Sequence, residues 1–89
     1  MSKNKPLIEF PCTFPIKVMG INSSALIADV AAIVSVHCLD FDPEDDIKIT
    51  PSTKGNYISV TAMINATSQQ QLDAIYSDLS KHELVKFTL

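Results

Sequence analysis

The sequence predicts a single α+β domain with the element order β-α-β-β-α-β. Residues 57–66 alternate between apolar and polar side chains, as expected for a strand with one buried face. Two segments, 24–38 and 67–81, instead repeat apolar residues at helical spacing, and shorter alternating segments surround them. With 89 residues the chain is long enough to bury a modest core without disulfides or metal ions.

The segment 57–66 predicts the central strand of the sheet. Its residues Ile58, Val60, Ala62 and Ile64 share one face, and Tyr57, Ser59, Thr61, Met63 and Asn65 share the other. Pro51, Ser52, Gly55 and Asn56 precede it, and we expect Gly55 and Asn56 to supply positive φ angles in a hairpin turn.

The other strands are predicted from shorter alternations. Phe14, Ile16 and Val18 indicate a first strand that stops at Gly20. Ile47 and Ile49 indicate a second strand that ends at Pro51. Val85, Phe87 and Leu89 indicate a fourth strand at the carboxyl end.

Polar residues mark where the two helices begin. Asn22, Ser23 and Ser24 are candidate N-caps for a helix over 24–38, whose apolar stripe includes Leu26, Ile27, Val30, Ile33, Val34 and His37. Thr67 and Gln70 predict a capping box for a second helix that runs to about Lys81. Its apolar stripe consists of Leu72, Ile75, Tyr76 and Leu79.

Right-handed crossovers then give an antiparallel sheet with the strand order 4-1-3-2 and both helices on one face. This is the ferredoxin-like βαββαβ two-layer sandwich, formed by residues 1–89 as one domain, with residues 1–7 expected to be mobile. The residues expected to face the helices are Phe14, Ile16, Val18, Ile47, Ile49, Ile58, Val60, Ala62, Ile64, Val85, Phe87 and Leu89.

The opposite sheet face is the first candidate site. It is expected to hold three of the seven lysines, Lys17, Lys48 and Lys86, with Lys54 at its rim and with Tyr57, Thr61 and Met63 between them. The acids are expected elsewhere, on the helices and in the segment 40–46. A solvated face that blocks edge pairing is one interpretation, and a docking face for an acidic protein partner or a second copy is the other.

Composition argues against several other classes of function. The net charge is −3 and the chain contains no arginine, so nucleic acid is not expected as a partner, and the face offers only one aromatic residue for base stacking. Cys12 and Cys38 are two lone thiols, as is typical of reducing cytosol. Since no apolar run approaches the length of a membrane span, we expect a cytoplasmic protein.

No catalytic, metal or cofactor site is predicted. The segment Ser52–Asn56 lacks the spaced glycines of a phosphate-binding loop and precedes a strand. His37 and His82 have no partner at ligand spacing, and His37 and Cys38 are neighbours that do not face each other in a helix. The acids Asp42, Glu44, Asp45 and Asp46 lack the glycine and terminal glutamate of a calcium loop, which favours a solvated turn.

Four segments, taken in order, resemble the YbeD-like family of small uncharacterised bacterial proteins. They are Glu-Phe-Pro from Glu9, Lys-Val-Met-Gly from Lys17, Pro-Ser-Thr-Lys-Gly-Asn-Tyr from Pro51, and Ile-Asn-Ala-Thr from Ile64. The resemblance runs from about residue 8 to residue 89 and implies a ferredoxin-like fold similar to ACT-type regulatory domains. It also implies a gene setting near lipoate-attachment enzymes, and hence a protein partner connected with lipoate metabolism.

Two hypotheses of function follow. The first is a non-enzymatic interaction or regulatory module that uses the lysine-bearing sheet face. The second, implied by the ACT-type resemblance, is a sensor that binds an amino acid or a small organic acid at the loop before the first helix. That site would comprise Gly20, Asn22 and Ser23, although the loop carries one glycine only.

Overall fold

A computed structural model describes residues 9–88, and it confirms the predicted element order. Four strands and two helices follow one another along the chain. They are β1 (Cys12–Ile21), α1 (Ser24–His37), β2 (Ile47–Pro51), β3 (Tyr57–Ala66), α2 (Gln69–Ser80) and β4 (Val85–Thr88). The predicted mobility of residues 1–7 and the facing of Leu89 lie outside the described residues.

The strands form one antiparallel sheet in the order β2-β3-β1-β4, as predicted. The two longest strands, β3 and β1, are ten residues each and pair along their whole length, from Cys12 opposite Ala66 to Ile21 opposite Tyr57. The strand β3 is therefore central, because β2 pairs with its other edge.

The core lies between the sheet and the two helices. Most inward residues of β1 and β3 are buried as predicted, with Ile16, Val18 and Val60 at 0% exposure, whereas Phe14 is only partly buried. From the helices, the buried residues are Leu26, Val30 and Val34 of α1 and Leu72, Ile75 and Leu79 of α2. Among the described residues no polar or charged side chain is buried in this core.

The N-caps of both helices are serines. Ser23 caps α1, and its hydroxyl accepts the N–H of Ala25 at 3.1 Å. Ser68 caps α2 by accepting the N–H of Gln71 at 3.0 Å, so the predicted box of Thr67 and Gln70 is wrong by one residue. The reason is tertiary: Gln71 also donates to the carbonyl oxygen of His37 at 2.9 Å, which fixes where α2 begins against α1.

The two glycines serve different purposes. Gly55 lies in the turn between β2 and β3 with φ of +78°, whereas Asn56 has no positive φ, so the expectation for Asn56 is wrong. Gly20 is not the end of β1, which continues to Ile21. A Cβ on Gly20 would overlap the carbonyl oxygen of Leu84, so this position needs a glycine for close approach.

A β-bulge changes the facing of β4. Gly20 stands opposite Val85, but Met19 stands opposite Phe87, so Lys86 is an extra residue in β4. Residues opposite each other in a ladder share a face. Phe87 therefore lies on the face away from the helices with 50% of its surface exposed, and its prediction as a core residue is wrong.

The position of Ile49 at the edge of the sheet explains a second difference from the prediction. Ile49 stands opposite Val60, which places it on the helix side as predicted, yet it is 42% exposed. Because β2 is the outer strand of the sheet, Ile49 contributes to the rim of the core and not to its centre.

Candidate functional site

The face of the sheet away from the helices is the candidate site, and we call it the open sheet face. The ladder register places thirteen residues on it: Thr13, Pro15, Lys17, Met19, Ile21, Lys48, Thr50, Tyr57, Ser59, Thr61, Met63, Asn65 and Phe87. None of these side chains is acidic, and the partly exposed Met63 and Tyr57 stand among the polar ones.

Two lysines of this face stand in one row. Lys48 lies opposite Thr61, and Thr61 lies opposite Lys17, so the two amines flank one threonine across three strands. Adjacent strands lie about 4.8 Å apart, which puts the two lysine Cα atoms about 10 Å apart. Both side chains are exposed, as predicted from the alternation.

A hollow of about 530 Å³ occupies one part of the face. It is lined by Pro15, Lys17, Asp45, Asp46, Ile47, Lys48, Thr61 and Met63. The acids were expected away from this face, and that expectation is wrong for Asp45 and Asp46, which lie at its rim. The chain reverses from the acidic turn into β2 here, and the N–H of Met63 donates to the carbonyl oxygen of Asp46 at 2.8 Å.

A second, apolar hollow of about 270 Å³ lies one row further along the strands. Its walls are Met19, Tyr57, Lys86 and Phe87. Sequence reasoning missed Phe87 because regular alternation along β4 would put it in the core. The signal was available in Gly20, since a glycine within a strand often marks a bulge in its partner.

The lysines of the described segment are unpaired, whereas five of its ten acidic side chains have hydrogen-bond partners. Within residues 9–88, Lys17, Lys48, Lys54, Lys81 and Lys86 form no ion pair and no side-chain hydrogen bond. Lys54 lies exposed in the turn beside Tyr57. The amines of the open sheet face are therefore available to an external acid.

Intramolecular bonds satisfy several of the carboxylates. The Asp42 carboxylate accepts the N–H groups of Glu44 and Asp45, and the Asp46 carboxylate accepts the N–H of Asp42 at 2.9 Å. Asp73 accepts from the Gln69 amide at 3.0 Å. Carboxylates of the acidic turn thus accept hydrogen bonds from backbone N–H groups of the same turn, which agrees with the solvated turn predicted for this segment.

The loop before α1 places Gly20, Asn22 and Ser23 close together, but it uses their polar groups within the fold. The Asn22 side-chain amide donates to the carbonyl oxygen of Gly55 at 2.7 Å, and the Asn22 backbone N–H donates to the backbone carbonyl oxygen of Asn56 at 3.0 Å. Ser23 caps α1, and Gly20 is covered by Leu84. These contacts join β1, the β2–β3 turn and the segment before β4.

Each histidine forms a pair with an aspartate, which the sequence spacing did not reveal: His37 of α1 pairs with Asp78 of α2, and His82, which follows α2, pairs with Asp29 of α1. His37 Nε2 lies 2.8 Å from Asp78 Oδ2, and His82 Nε2 lies 2.7 Å from Asp29 Oδ2. His82 Nδ1 accepts the N–H of Leu84 at 3.1 Å, so its Nε2 carries the proton and donates to Asp29. Neither pair lines either hollow on the open sheet face, and we assign both to holding α1 and α2 together.

Within residues 9–88, no group of three or more His, Cys, Asp or Glu side chains is arranged to hold a metal ion. No helix in that range has both the length and the apolar character needed to cross a bilayer. Both cysteines are free thiols.

The thiol of Cys38 is buried at the end of α1 with 3% exposure. Burial raises the pKa of this thiol above its ordinary value of 9.0, and the nearby Asp40 carboxylate raises it further. The folded state therefore disfavours the Cys38 thiolate. Stability linked to this group is fully present below pH 9.0 and is lost as the pH rises through the higher pKa of the folded state.

We expect the Cys38 thiol of the folded protein to react slowly with disulfide reagents. In a Cys12→Ser variant, the remaining thiol should react with a disulfide reagent at least about tenfold more slowly in the folded protein than in urea. The matched Cys38→Ala variant keeps the partly exposed Cys12 and should react faster without urea. Equal rates for Cys38 with and without urea would contradict its burial.

The comparisons with known proteins agree with this architecture, which defines a small ferredoxin-like α+β protein. The solution structure of protein HP0495 from H. pylori superimposes with a TM-score of 0.69 at 15% identity, covering 98% of this chain and 90% of that one. At this identity the likeness shows the fold alone.

Sequence similarity then gives the family. Residues 5–89 match the family described as "Protein of unknown function (DUF493)". A UPF0250 protein of Janthinobacterium sp. is 42% identical over 100% of this chain and 97% of its own, and one from Neisseria meningitidis serogroup A is 47% identical over 98% and 96%. The chain belongs to this DUF493/UPF0250 family, and the resemblance to YbeD-like proteins is confirmed.

Proposed function

We propose that this protein is a non-enzymatic, cytoplasmic interaction module that holds a protein partner on its open sheet face. One observation supports the proposal above the others: this face combines unpaired lysines with exposed apolar side chains. Tyr57, Met63 and Phe87 are 40%, 39% and 50% exposed, and they share the face with Lys17 and Lys48.

A sheet face that only contacts solvent would need its lysines for solubility, but it would have no need of exposed apolar side chains. Of the six large apolar residues that are exposed in the described segment, three lie on this one face. Apolar side chains surrounded by cations are typical of protein contact surfaces, in which a central apolar patch is bordered by polar groups. The two free cysteines also fit a reducing compartment.

Nucleic acid is the weaker candidate for the same face. The chain has no arginine and a net charge of −3, whereas nucleic-acid affinity depends mainly on cationic contacts to the phosphates. Phe87 adds a second aromatic residue in the same hollow as Tyr57, but two aromatic side chains without any arginine form only a small platform for base stacking.

The sensor hypothesis gains no specific support from the loop before α1. A ligand there would have to replace the bonds that the Asn22 amide and the Ser23 hydroxyl already make. The open sheet face requires no such exchange, since its lysines have no partner in the described segment.

The proposal is tested by capture from a lysate of the source bacterium. Reversing three charges in a Lys17→Glu, Lys48→Glu, Lys86→Glu variant should remove the captured partner, because the carboxylates would repel an acidic surface. Mass spectrometry identifies the proteins that are lost, and lipoate-attachment enzymes are one group to look for, given the resemblance.

The matched control is Lys81→Glu, which changes an exposed lysine at the end of α2. It should capture the same proteins as the unmodified chain. Capture that survives the triple reversal, or that Lys81→Glu removes equally, would refute the open sheet face as the docking surface.

A further inference from the structure

We infer that the partner presents an amphipathic helix whose apolar stripe is bordered by carboxylates, and that this helix lies along β3 and β1 on the open sheet face. The inference rests on the proposed function and specifies the chemistry of the partner. It follows from the order of side chains along the two central strands and from the positions of the flanking lysines.

Rows of paired residues cross β3 and β1 on the open sheet face. Met63 with Pro15 forms an apolar row, followed by the row of Thr61 and Lys17. The row after that holds Ser59, Met19 and Phe87, and Tyr57 stands in the last one. Apolar contacts are therefore available on both sides of a basic row, along the direction of the strands.

We call the part of β3 and β1 between the rows of Met63 and Tyr57 the strip, and its dimensions suit a helix. From Tyr57 to Met63 the strand rises about 20 Å at about 3.4 Å per residue. A helix of about 14 residues has the same length, at 1.5 Å per residue. Its diameter of about 10 Å covers two strands spaced about 4.8 Å apart and leaves the neighbouring strands at its flanks.

A partner strand could not be held on this face by main-chain bonds. The backbone groups of β3 and β1 are paired within the sheet, from Cys12–Ala66 to Ile21–Tyr57. A partner can therefore contact only the side chains of this face. A helix binds in the same way, because its own backbone groups are already hydrogen-bonded and only its side chains make contacts. Strand addition would have to occur at the edges, β2 or β4, away from the central apolar rows.

The positions of the lysines fix where the partner's charges must lie. Lys48 stands on β2 and Lys86 on β4, one on each side of the strip, and Lys17 stands within it. A helix with an apolar stripe over Met63, Met19 and Tyr57 would bring its flanking residues to Lys48 and Lys86, and Lys17 would lie beneath the helix. Carboxylates at those flanks match the charge, and the flexible lysine stems can cover apolar surface while the amines reach outward.

The test uses a synthetic capped peptide of about 14 residues, with leucines in one helical stripe and glutamates on both flanks of it. A single helix forms a small interface, so binding is expected to be weak and is followed by amide NMR shifts of the labelled full chain at up to millimolar peptide. The expected shifts concentrate at Lys17, Met19, Lys48, Thr61 and Phe87.

Two matched peptides separate charge from apolar contact. Replacing every glutamate by lysine, or every leucine by serine, should each weaken binding at least about tenfold. Raising the salt concentration about tenfold should weaken the glutamate peptide as well, because exposed charges are screened.

Two matched protein variants test the face itself. A Lys17→Gln, Lys48→Gln variant should bind the glutamate peptide about tenfold more weakly, while Lys81→Gln leaves binding unchanged. The glutamine changes are at exposed positions, and the dispersed amide spectrum of each variant shows whether it is folded.

Several results would overturn the inference. They are the absence of shifts at millimolar peptide, shifts confined to α1 and α2, and equal binding of the lysine peptide. Tighter binding of a single-stranded RNA oligonucleotide at the same residues would favour nucleic acid, and shifts that follow protein concentration alone would favour a second copy. If the peptide fails but lysate capture still depends on the lysines, the proposed function stands and only the acidic helix is refuted.

Discussion

A Val60→Asp variant is expected to be unfolded at room temperature. Val60 lies at 0% exposure in the central strand, opposite Val18 on one side and Ile49 on the other. A carboxylate there would be enclosed by aliphatic side chains with no partner, at a cost of about 4–5 kcal/mol or more. That cost equals much or all of the free energy of unfolding of a domain of this size, which is of the order of 5–10 kcal/mol.

Circular dichroism during heating and the dispersion of the amide spectrum both measure this effect. The matched control is Met63→Asp on the same strand, where the side chain is 39% exposed on the opposite face. It should melt cooperatively and within a few degrees of the unmodified chain. A cooperative melt for Val60→Asp together with an unfolded Met63→Asp would mean that β3 faces the other way.

A Gly20→Ala variant is the second large effect, with an expected loss of about 2–3 kcal/mol in the free energy of unfolding. The added methyl group would overlap the carbonyl oxygen of Leu84 and approach Leu26 Cδ2 to 2.9 Å. The carbonyl cannot turn aside easily, because it accepts the N–H of Ile21 at 3.1 Å. Urea denaturation of the purified variant measures the loss.

Gly55→Ala serves as its control, since the two glycines are needed for different reasons. No atom lies within 4 Å of the position that a Cβ would take on Gly55, but the φ of +78° strains any other residue. The expected cost is about 1 kcal/mol, smaller than that for Gly20. A larger loss for Gly55→Ala than for Gly20→Ala would contradict the close approach of Leu84 to β1.

The Gly20 result also bears on the sensor hypothesis. A Gly20 variant would lose stability through its contact with Leu84, whether or not the loop binds a ligand. Loss of a ligand response in that variant would therefore say nothing about binding. Asn22→Asp would have the same defect, because a carboxylate cannot donate the hydrogen bond that the Asn22 amide makes to the carbonyl oxygen of Gly55.

The sequence by itself determined the fold of this protein. Alternation along β1 and β3 and helical spacing in α1 and α2 are local patterns, and each persists over ten or more residues. With the element order they leave one plausible sheet, since right-handed crossovers place β3 beside β1. The exposed positions of Lys17 and Lys48 follow from the same alternation, and so most of the open sheet face was predictable.

Only the tertiary structure decided the remaining features, because each depends on a contact between distant segments. The bulge at Lys86 moves Phe87 to the open sheet face, since β4 must fit beside Gly20. The helix α2 begins at Gln69 because the Gln71 side chain donates a hydrogen bond to the carbonyl oxygen of His37 at the end of α1. His37 and His82 find their aspartates 41 and 53 residues away, where no spacing rule reaches. Local patterns determine which elements form, and the docking of those elements decides which individual side chains meet.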